Sequence, residues 1–115
     1  MKVLVCGGRD YADVERVYAV LDKLHNESGI DLIIEGGERG AHHIASDWAR
    51  LRGVTKRRYD ADWQSHGSFA DPMRNKTMIN DGQPDVVIAF PGGRETRQMI
   101  NLSRKMGFTV VEITP

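Results

Sequence analysis

The sequence predicts an α/β fold in which a doubly wound parallel sheet of about five strands carries helices on both faces. Short apolar runs, typical of strands buried on both faces, alternate with longer stretches whose apolar residues recur at helical spacing. Gly-Gly pairs follow three of the apolar runs, where a parallel strand would turn towards a helix. The chain has 115 residues, which suits a single domain over residues 1–115.

Each predicted strand is a short run bounded by polar residues or glycine. In chain order these strands are residues 3–6, 32–34, 54–59, 86–90 and 109–113. The run at 54–59 is polar, so that strand is expected near an edge of the sheet. Four helices are predicted. The first covers about residues 12–27, and the second begins at residue 41 and ends near 53. The third begins at Pro72 and ends at 81–82, and the fourth has its apolar face at 96–103 and ends at 107. Residues 60–71 are predicted to form a loop.

Composition excludes several functional classes. The 16 basic and 16 acidic residues cancel, which argues against a nucleic acid or a membrane as partner, although it leaves a local basic site open. No apolar run approaches the roughly 18–20 residues of a membrane span, and residues 1–6 suit a buried strand better than a signal peptide. The single cysteine, Cys6, rules out an internal disulfide and suits a reducing compartment, so a cytoplasmic location is expected.

Three glycine loops carry the main functional signal. They are Gly7-Gly8-Arg9-Asp10, Glu35-Gly36-Gly37-Glu38-Arg39-Gly40 and Pro91-Gly92-Gly93-Arg94-Glu95-Thr96, at the ends of the first, second and fourth strands. Glycine lets a ligand approach the backbone, a helix start offers free N–H groups, and arginine pairs with phosphate. We therefore expect a cradle for a phosphate-bearing ligand, with Gly92, Gly93 and Thr96 at the phosphate and with Arg9 and Arg39 supplying charge. The alternative is that these glycines only satisfy tight turns.

Other polar and aromatic residues are open to two interpretations each. Trp63, beside Asp62, either stacks on a base or caps the core. Arg74 and Asn75 either donate towards a phosphate or sugar or form a solvated helix start. Trp48 lies in a helical apolar stripe and is predicted to belong to the core.

No metal and no cofactor are predicted. His42 and His43 are adjacent and would point in different directions, and no His, Cys or Asp spacing resembles a zinc site. Cys6 is expected to be a small buried thiol without an activating neighbour. The sequence contains neither a Gly-x-Ser-x-Gly elbow nor a Gly-Lys-Ser/Thr phosphate loop.

Taken together, these motifs resemble the YpsA-related branch of the SLOG superfamily. In order along the chain they are Cys6-Gly7-Gly8-Arg9-Asp10, Gly36-Gly37-x-Arg39-Gly40-Ala41, Ala61-Asp62-Trp63, Pro72-x-Arg74-Asn75 and Phe90-Pro91-Gly92-Gly93-Arg94-x-Thr96. The superfamily is Rossmann-like and includes the Lonely Guy phosphoribohydrolases and the DNA-processing protein A group. The resemblance implies a nucleotide or nucleotide-derived ligand at the strand ends, bound by these motif residues, with Ala41, Asp62 and Pro91 among them.

Three positions depart from the family pattern. Met99 stands where the Lonely Guy enzymes carry a glutamate that assists glycosidic cleavage, and a thioether cannot do the work of a carboxylate. Glu95 replaces a usual glycine, and we expect its side chain to point away from the phosphate. The alternatives are that Glu95 contacts Arg94 or Arg97, that it selects a less charged ligand, or that it replaces the missing carboxylate. His42 replaces a common aspartate, a change that would alter ribose recognition or a water contact.

The leading interpretation is a nucleotide-binding or sensing module that acts through an effector protein or as a homodimer. Whether the chain is an enzyme stays open, the alternative being a phosphoribohydrolase that cleaves a base–ribose bond with a carboxylate near the anomeric carbon. The candidate carboxylates are Glu38, Glu95, Asp10 and Asp62. A second alternative is single-stranded nucleic-acid binding, which the zero net charge weakens, because the basic run at 56–58 is interpreted as a solvated strand face.

Overall fold

In a computed structural model that describes residues 1–115, five parallel strands form one sheet. The strands are β1 (Lys2–Cys6), β2 (Leu32–Glu35), β3 (Thr55–Arg58), β4 (Val86–Ala89) and β5 (Val110–Glu112). Their spatial order is β3-β2-β1-β4-β5, and every neighbouring pair is parallel. The predicted doubly wound parallel sheet is therefore confirmed, and β3 lies at an edge with all four residues exposed, as predicted.

The helices are α1 (Val14–Ser28), α2 (Ala41–Arg52), α3 (Trp63–His66), α4 (Ala70–Gly82) and α5 (Arg94–Lys105), with a 3₁₀ turn at Gly67–Phe69. All of them except α3 pack on the two faces of the sheet. One core contains α1 and α2, with Trp48 buried as predicted, and the other contains α4 and α5. Because strand side chains alternate between faces, Val3 and Val5 enter the first core, while Leu4 and Cys6 enter the second. No helix of the chain is long and apolar enough to cross a membrane.

The prediction of a loop at residues 60–71 is wrong. This stretch contains α3, the 3₁₀ turn and the start of α4, so Pro72 is the third residue of α4 rather than the first. The Asp62 side chain accepts the backbone N–H of Ser65 and thereby caps α3. Helix α3 buries no residue, so it lacks the apolar periodicity by which sequence reasoning recognises a helix.

The topology creates a reversal of strand order at one edge of the sheet. The chain leaves β1 to build β2 and β3 on one side and returns to build β4 and β5 on the other. The carboxyl ends of β1 and β4 therefore flank the point where strand order reverses, the usual ligand position in open parallel sheets.

Substitution of Gly40, which precedes α2, tests how tightly the loops at this edge are packed. Its φ of 72° and ψ of −130° suit only glycine, and an added Cβ would meet the Gly8 carbonyl oxygen. We expect Gly40→Ala to lower the free energy of unfolding by about 2–3 kcal/mol, measured by urea denaturation. Gly53→Ala is the control, because Gly53 adopts the left-handed helical conformation with no atom near its Cβ position. If the two variants lost the same free energy of unfolding, Gly40 would not be tightly packed against the Gly8 carbonyl.

Candidate functional site

The glycine loops that follow β1 and β4 pack against each other. The Gly8 N–H donates to the Pro91 carbonyl at 3.0 Å, and the Ala41 N–H donates to the Gly8 carbonyl at 3.3 Å. A Cβ at Gly92 would lie 2.7 Å from the Gly8 nitrogen and would also meet the Thr96 hydroxyl. The contact between the loops thus requires Gly8 and Gly92, and the start of α2 is covered by the β1 loop.

The glycine pair after β2 is also enclosed by the protein. A Cβ at Gly36 would lie 2.7 Å from Nη1 of Arg74, and a Cβ at Gly37 would meet the Asp60 carboxylate. The Gly37 N–H donates to Glu35 at 2.9 Å. These glycines make room for neighbouring side chains, a packing role that differs from both interpretations given for them from the sequence.

Gly93 differs from the other predicted cradle glycines, because a Cβ there would have no neighbour within 4 Å. It precedes α5, whose start has no side-chain cap. The Gly93 carbonyl accepts from the Arg97 N–H at 3.0 Å, so the N–H groups of the three residues at 94–96 lie in the first turn without a helical acceptor. These N–H groups and the positive end of the helix dipole form a place where an anion would bind favourably.

A cluster of charged side chains lies beside this helix start. It consists of Arg9, Glu38, Asp71, Arg74 and Glu95, and we call it the carboxylate cluster. Arg9 is 3.0 Å from Glu38, 2.9 Å from Asp71 and 3.2 Å from Glu95. Partial burial would lower the pKa of the Arg9 guanidinium, but the three carboxylates raise it. Its buried Nε nevertheless lacks an aligned hydrogen-bond partner.

Arg74 organises the centre of the cluster. Its Nη1 donates to the Gly36 carbonyl at 2.6 Å, its Nε donates to Asn75 at 2.8 Å, and its Nη2 donates to Asp71 at 3.2 Å. Arg74 and Asn75 are both buried, so the interpretation as a solvated helix start is wrong. The guanidinium joins the β2 loop to α4 and so restricts the movement of one relative to the other.

Glu95 directs its carboxylate into the carboxylate cluster, and that it points away from a bound phosphate stays a prediction. Its carboxylate contacts Arg9 instead of Arg94 or Arg97. Partial burial, a hydrogen bond with Asp71 and the nearby charge of Glu38 raise its pKa. This carboxyl group holds its proton more strongly than an ordinary glutamate.

The other two predicted carboxylates lie outside the cluster. Asp10 is exposed and pairs loosely with exposed Arg39 at 3.5 Å. Asp62 caps α3 and lines a cavity of about 370 Å³ between the end of β3 and α4. Trp63 is the first residue of α3 and is 52% exposed, so it does not cap the core. Sequence reasoning missed Asp71, whose only signal was an acidic residue beside Pro72 at a helix start.

A small cavity of about 20 Å³ lies beneath the cluster. Its lining includes Cys6, His42, Thr96 and Met99 together with residues of the carboxylate cluster. Burial, reinforced by the nearby arginines, lowers the pKa of His42 to about 4, and its Nδ1 accepts the Gly36 N–H at 2.8 Å. Burial raises the pKa of the Cys6 thiol to about 12. No group of three or more His, Cys, Asp or Glu side chains is placed to hold a metal ion.

Comparison with known proteins gives the family. Residues 1–66 match the model of the YAcAr family, described as the YspA, cpYpsA-related SLOG family. The chain belongs to this family. The resemblance predicted from the motifs is thereby confirmed, and the matched residues include the loops after β1 and β2.

One curated relative and two solved structures extend this comparison. Gene 61 protein of Mycobacterium phage D29 is 38% identical over 118 residues, which cover 96% of this chain and 94% of that protein. DNA processing protein A (DprA) from Streptococcus pneumoniae matches with a TM-score of 0.81 at 18% identity, over 99% of this chain and 50% of that one. UDP-GlcNAc 2-epimerase from Neisseria meningitidis, solved bound to UDP-GlcNAc, matches with a TM-score of 0.57 at 19% identity, over 98% and 32%. At 18% and 19% identity, those two structures support the fold alone, and this SLOG chain spans half or less of each.

Proposed function

We propose that this SLOG domain binds a nucleotide or nucleotide-derived ligand with its phosphate at the start of α5. The observation that carries the proposal is the uncapped first turn at residues 94–96, which opens to solvent at Gly93 beside the reversal of strand order. Such a helix start supplies several N–H donors and the positive end of a dipole to one phosphate. The Thr96 hydroxyl, in the same turn, is a further candidate donor.

The charge of the carboxylate cluster indicates which part of the ligand would lie there. Three carboxylates and two arginines leave the carboxylate cluster with an excess of negative charge, so a phosphate would be repelled there. Carboxylates accept hydrogen bonds from sugar hydroxyls, as the acidic residue of dinucleotide-binding folds does. We therefore assign the ribose to Glu38 and Glu95, and the phosphate to the turn at Gly93. The domain would act as a sensor in the cytoplasm, through an effector protein or a second copy.

A thermal-shift panel of AMP, ADP, ADP-ribose and NAD tests this function. A nucleotide at 100 times its dissociation constant stabilises the fold by about 2.7 kcal/mol, which raises the midpoint of a domain of this size by about 10–20 °C. Thr96→Val is expected to weaken the shift, because it removes a donor in the first turn of α5. Thr109→Val, at an exposed position far along the chain from this turn, is the matched control. The proposal fails if no nucleotide shifts the midpoint, or if both variants respond like the wild type.

A second function, hydrolysis of a base–ribose bond, is favoured by one observation. Glu95 has a raised pKa, and both Glu95 and Glu38 contact the Arg9 guanidinium. A carboxyl group that keeps its proton can act as a general acid, and a second carboxylate can stabilise the developing charge or activate water. Glu95 would then supply the carboxyl group that Met99, buried in the core, does not.

Release of free base separates the two functions. If the domain is a hydrolase, incubation with AMP or ADP-ribose should release base, and Glu95→Gln should slow this release about 100-fold while nucleotide binding persists. Asp10→Asn, an exposed carboxylate outside the cluster, should leave the rate unchanged. A wild-type domain that binds nucleotide and releases no base is a binding module.

A further inference from the structure

A groove between α4 and α5 has an unusual set of charges. It has a volume of about 620 Å³ and is lined by Pro72, Lys76, Arg94, Arg97, Gln98, Asn101, Leu102 and Lys105. Four of these residues are cationic and none is acidic. The zero net charge of the chain therefore conceals a concentrated positive surface at this place.

Most of these cations are free to bind an external anion. Lys76, Arg94 and Lys105 are exposed and form no ion pair within the chain. Arg97 is the exception, because it donates to Glu112 at 2.9 Å. Of the twelve arginines and lysines outside the groove, eight pair with carboxylates: Arg9, Lys23, Arg39, Arg50, Arg52, Arg58, Arg74 and Arg104.

The lining residues lie in rows along the two helices. On α5 the polar row is Arg94, Gln98, Asn101 and Lys105, which share one helix face because of their three- and four-residue spacing. From Arg94 to Lys105 the row is about 16 Å long, at 1.5 Å per residue. That length equals about five nucleotides at the 3.4 Å spacing of one strand in a duplex, and fewer in an extended strand.

From this arrangement we infer that the α4–α5 groove binds the phosphate backbone of a short single-stranded oligonucleotide. Cations spaced along a groove are sufficient to bind phosphodiesters, and Gln98 and Asn101 add hydrogen-bonding groups. An acidic peptide fits less well, because protein interfaces depend on buried apolar or aromatic anchors and the groove offers Pro72 and Leu102 alone. This inference does not rest on the proposed nucleotide site and revises the expectation that nucleic acid is not a partner.

Fluorescence anisotropy with a labelled twelve-nucleotide oligodeoxythymidylate tests the inference. Neutralising three phosphates predicts a fall in affinity of about 20-fold between 50 and 200 mM salt, from a slope of about −0.7 per phosphate for single strands. The double variant Lys76→Glu/Lys105→Glu should weaken binding at 50 mM salt at least tenfold. The control Arg16→Glu/Lys23→Glu makes the same charge change at exposed positions of α1 and should stay within twofold of the wild type.

The outcomes of this experiment distinguish the inference from its competitors. Absence of binding at 50 mM salt, or equal weakening by the two double variants, overturns it, because the groove would then have no particular role. Tighter binding of a labelled acidic peptide that only Lys76→Glu/Lys105→Glu abolishes also overturns it, in favour of a protein partner. Lys76 and Lys105 lie outside the proposed nucleotide site, so this variant should keep its thermal response to nucleotides and the two proposals fail separately.

Discussion

Replacement of Arg74 by methionine is expected to lower the free energy of unfolding by about 3–5 kcal/mol. The guanidinium is buried and donates to the Gly36 carbonyl, to Asn75 and to Asp71. Methionine fills most of the volume but leaves those acceptors without their donor, including a carboxylate that is itself buried. Because small domains are stable by only about 5–15 kcal/mol, urea denaturation followed by circular dichroism should show a much lower midpoint.

Arg50→Met is the matched control for this variant. Arg50 is exposed on α2 and pairs with Asp47 at 3.5 Å, so its loss should cost at most about 1 kcal/mol. Arg74→Lys keeps the charge but not the three-way donor geometry, and an intermediate loss is expected. If Arg74→Met and Arg50→Met unfold at the same urea concentration, Arg74 does not hold the β2 loop to α4.

As the pH falls, protonation linked to His42 should lower the free energy of unfolding of the wild type by about 3 kcal/mol, and His42→Asn should abolish this loss. Burial lowers the pKa of His42 to about 4 in the folded chain, against about 6.5 when it is unfolded. The unfolded chain therefore takes up a proton between pH 6.5 and 4 that the folded chain does not. This contribution to stability is present above pH 6.5 and is lost as the pH falls towards 4. Asparagine can place an acceptor near the position of Nδ1, which accepts the Gly36 N–H.

The measurement is urea denaturation at pH 7.5 and at pH 4.5, in wild type and variant. We expect the difference between the two pH values to be smaller in His42→Asn than in the wild type, because other titrating groups are common to both. His43→Asn changes the exposed neighbouring histidine and should leave the wild-type difference in place. An unchanged difference in His42→Asn would mean that the buried imidazole does not resist protonation.

The strands and most helices could be predicted because their signals are local. Runs such as residues 86–89 are apolar on both faces and become the buried centre of the sheet, and Trp48 lies in the apolar stripe of α2. Helix α3 could not be predicted in the same way, because it is four residues long and buries none of them. Its start depends on a single cap from Asp62, and such a cap also occurs in turns.

The sheet edge at which the glycine loops meet could be predicted from the sequence, but the arrangement of the side chains there could not. Sequence cannot tell a glycine that makes room for a ligand from one that makes room for a neighbouring loop. Gly8 and Gly92 are of the second kind, and Gly93 is open. The direction of Glu95 depends on Arg9 and Asp71, which are distant in sequence and meet only in the folded chain.

Binding of a phosphate by the first turn of α5 can be observed residue by residue in an NMR titration. In ¹H–¹⁵N spectra of the labelled domain, AMP should shift the backbone amides of Arg94, Glu95 and Thr96 more than those of any other helix start, because those N–H groups would gain a phosphate acceptor. Inorganic phosphate should shift the same amides at higher concentration. Shifts confined to the cavity between β3 and α4, or no shifts at millimolar AMP, would contradict the claim.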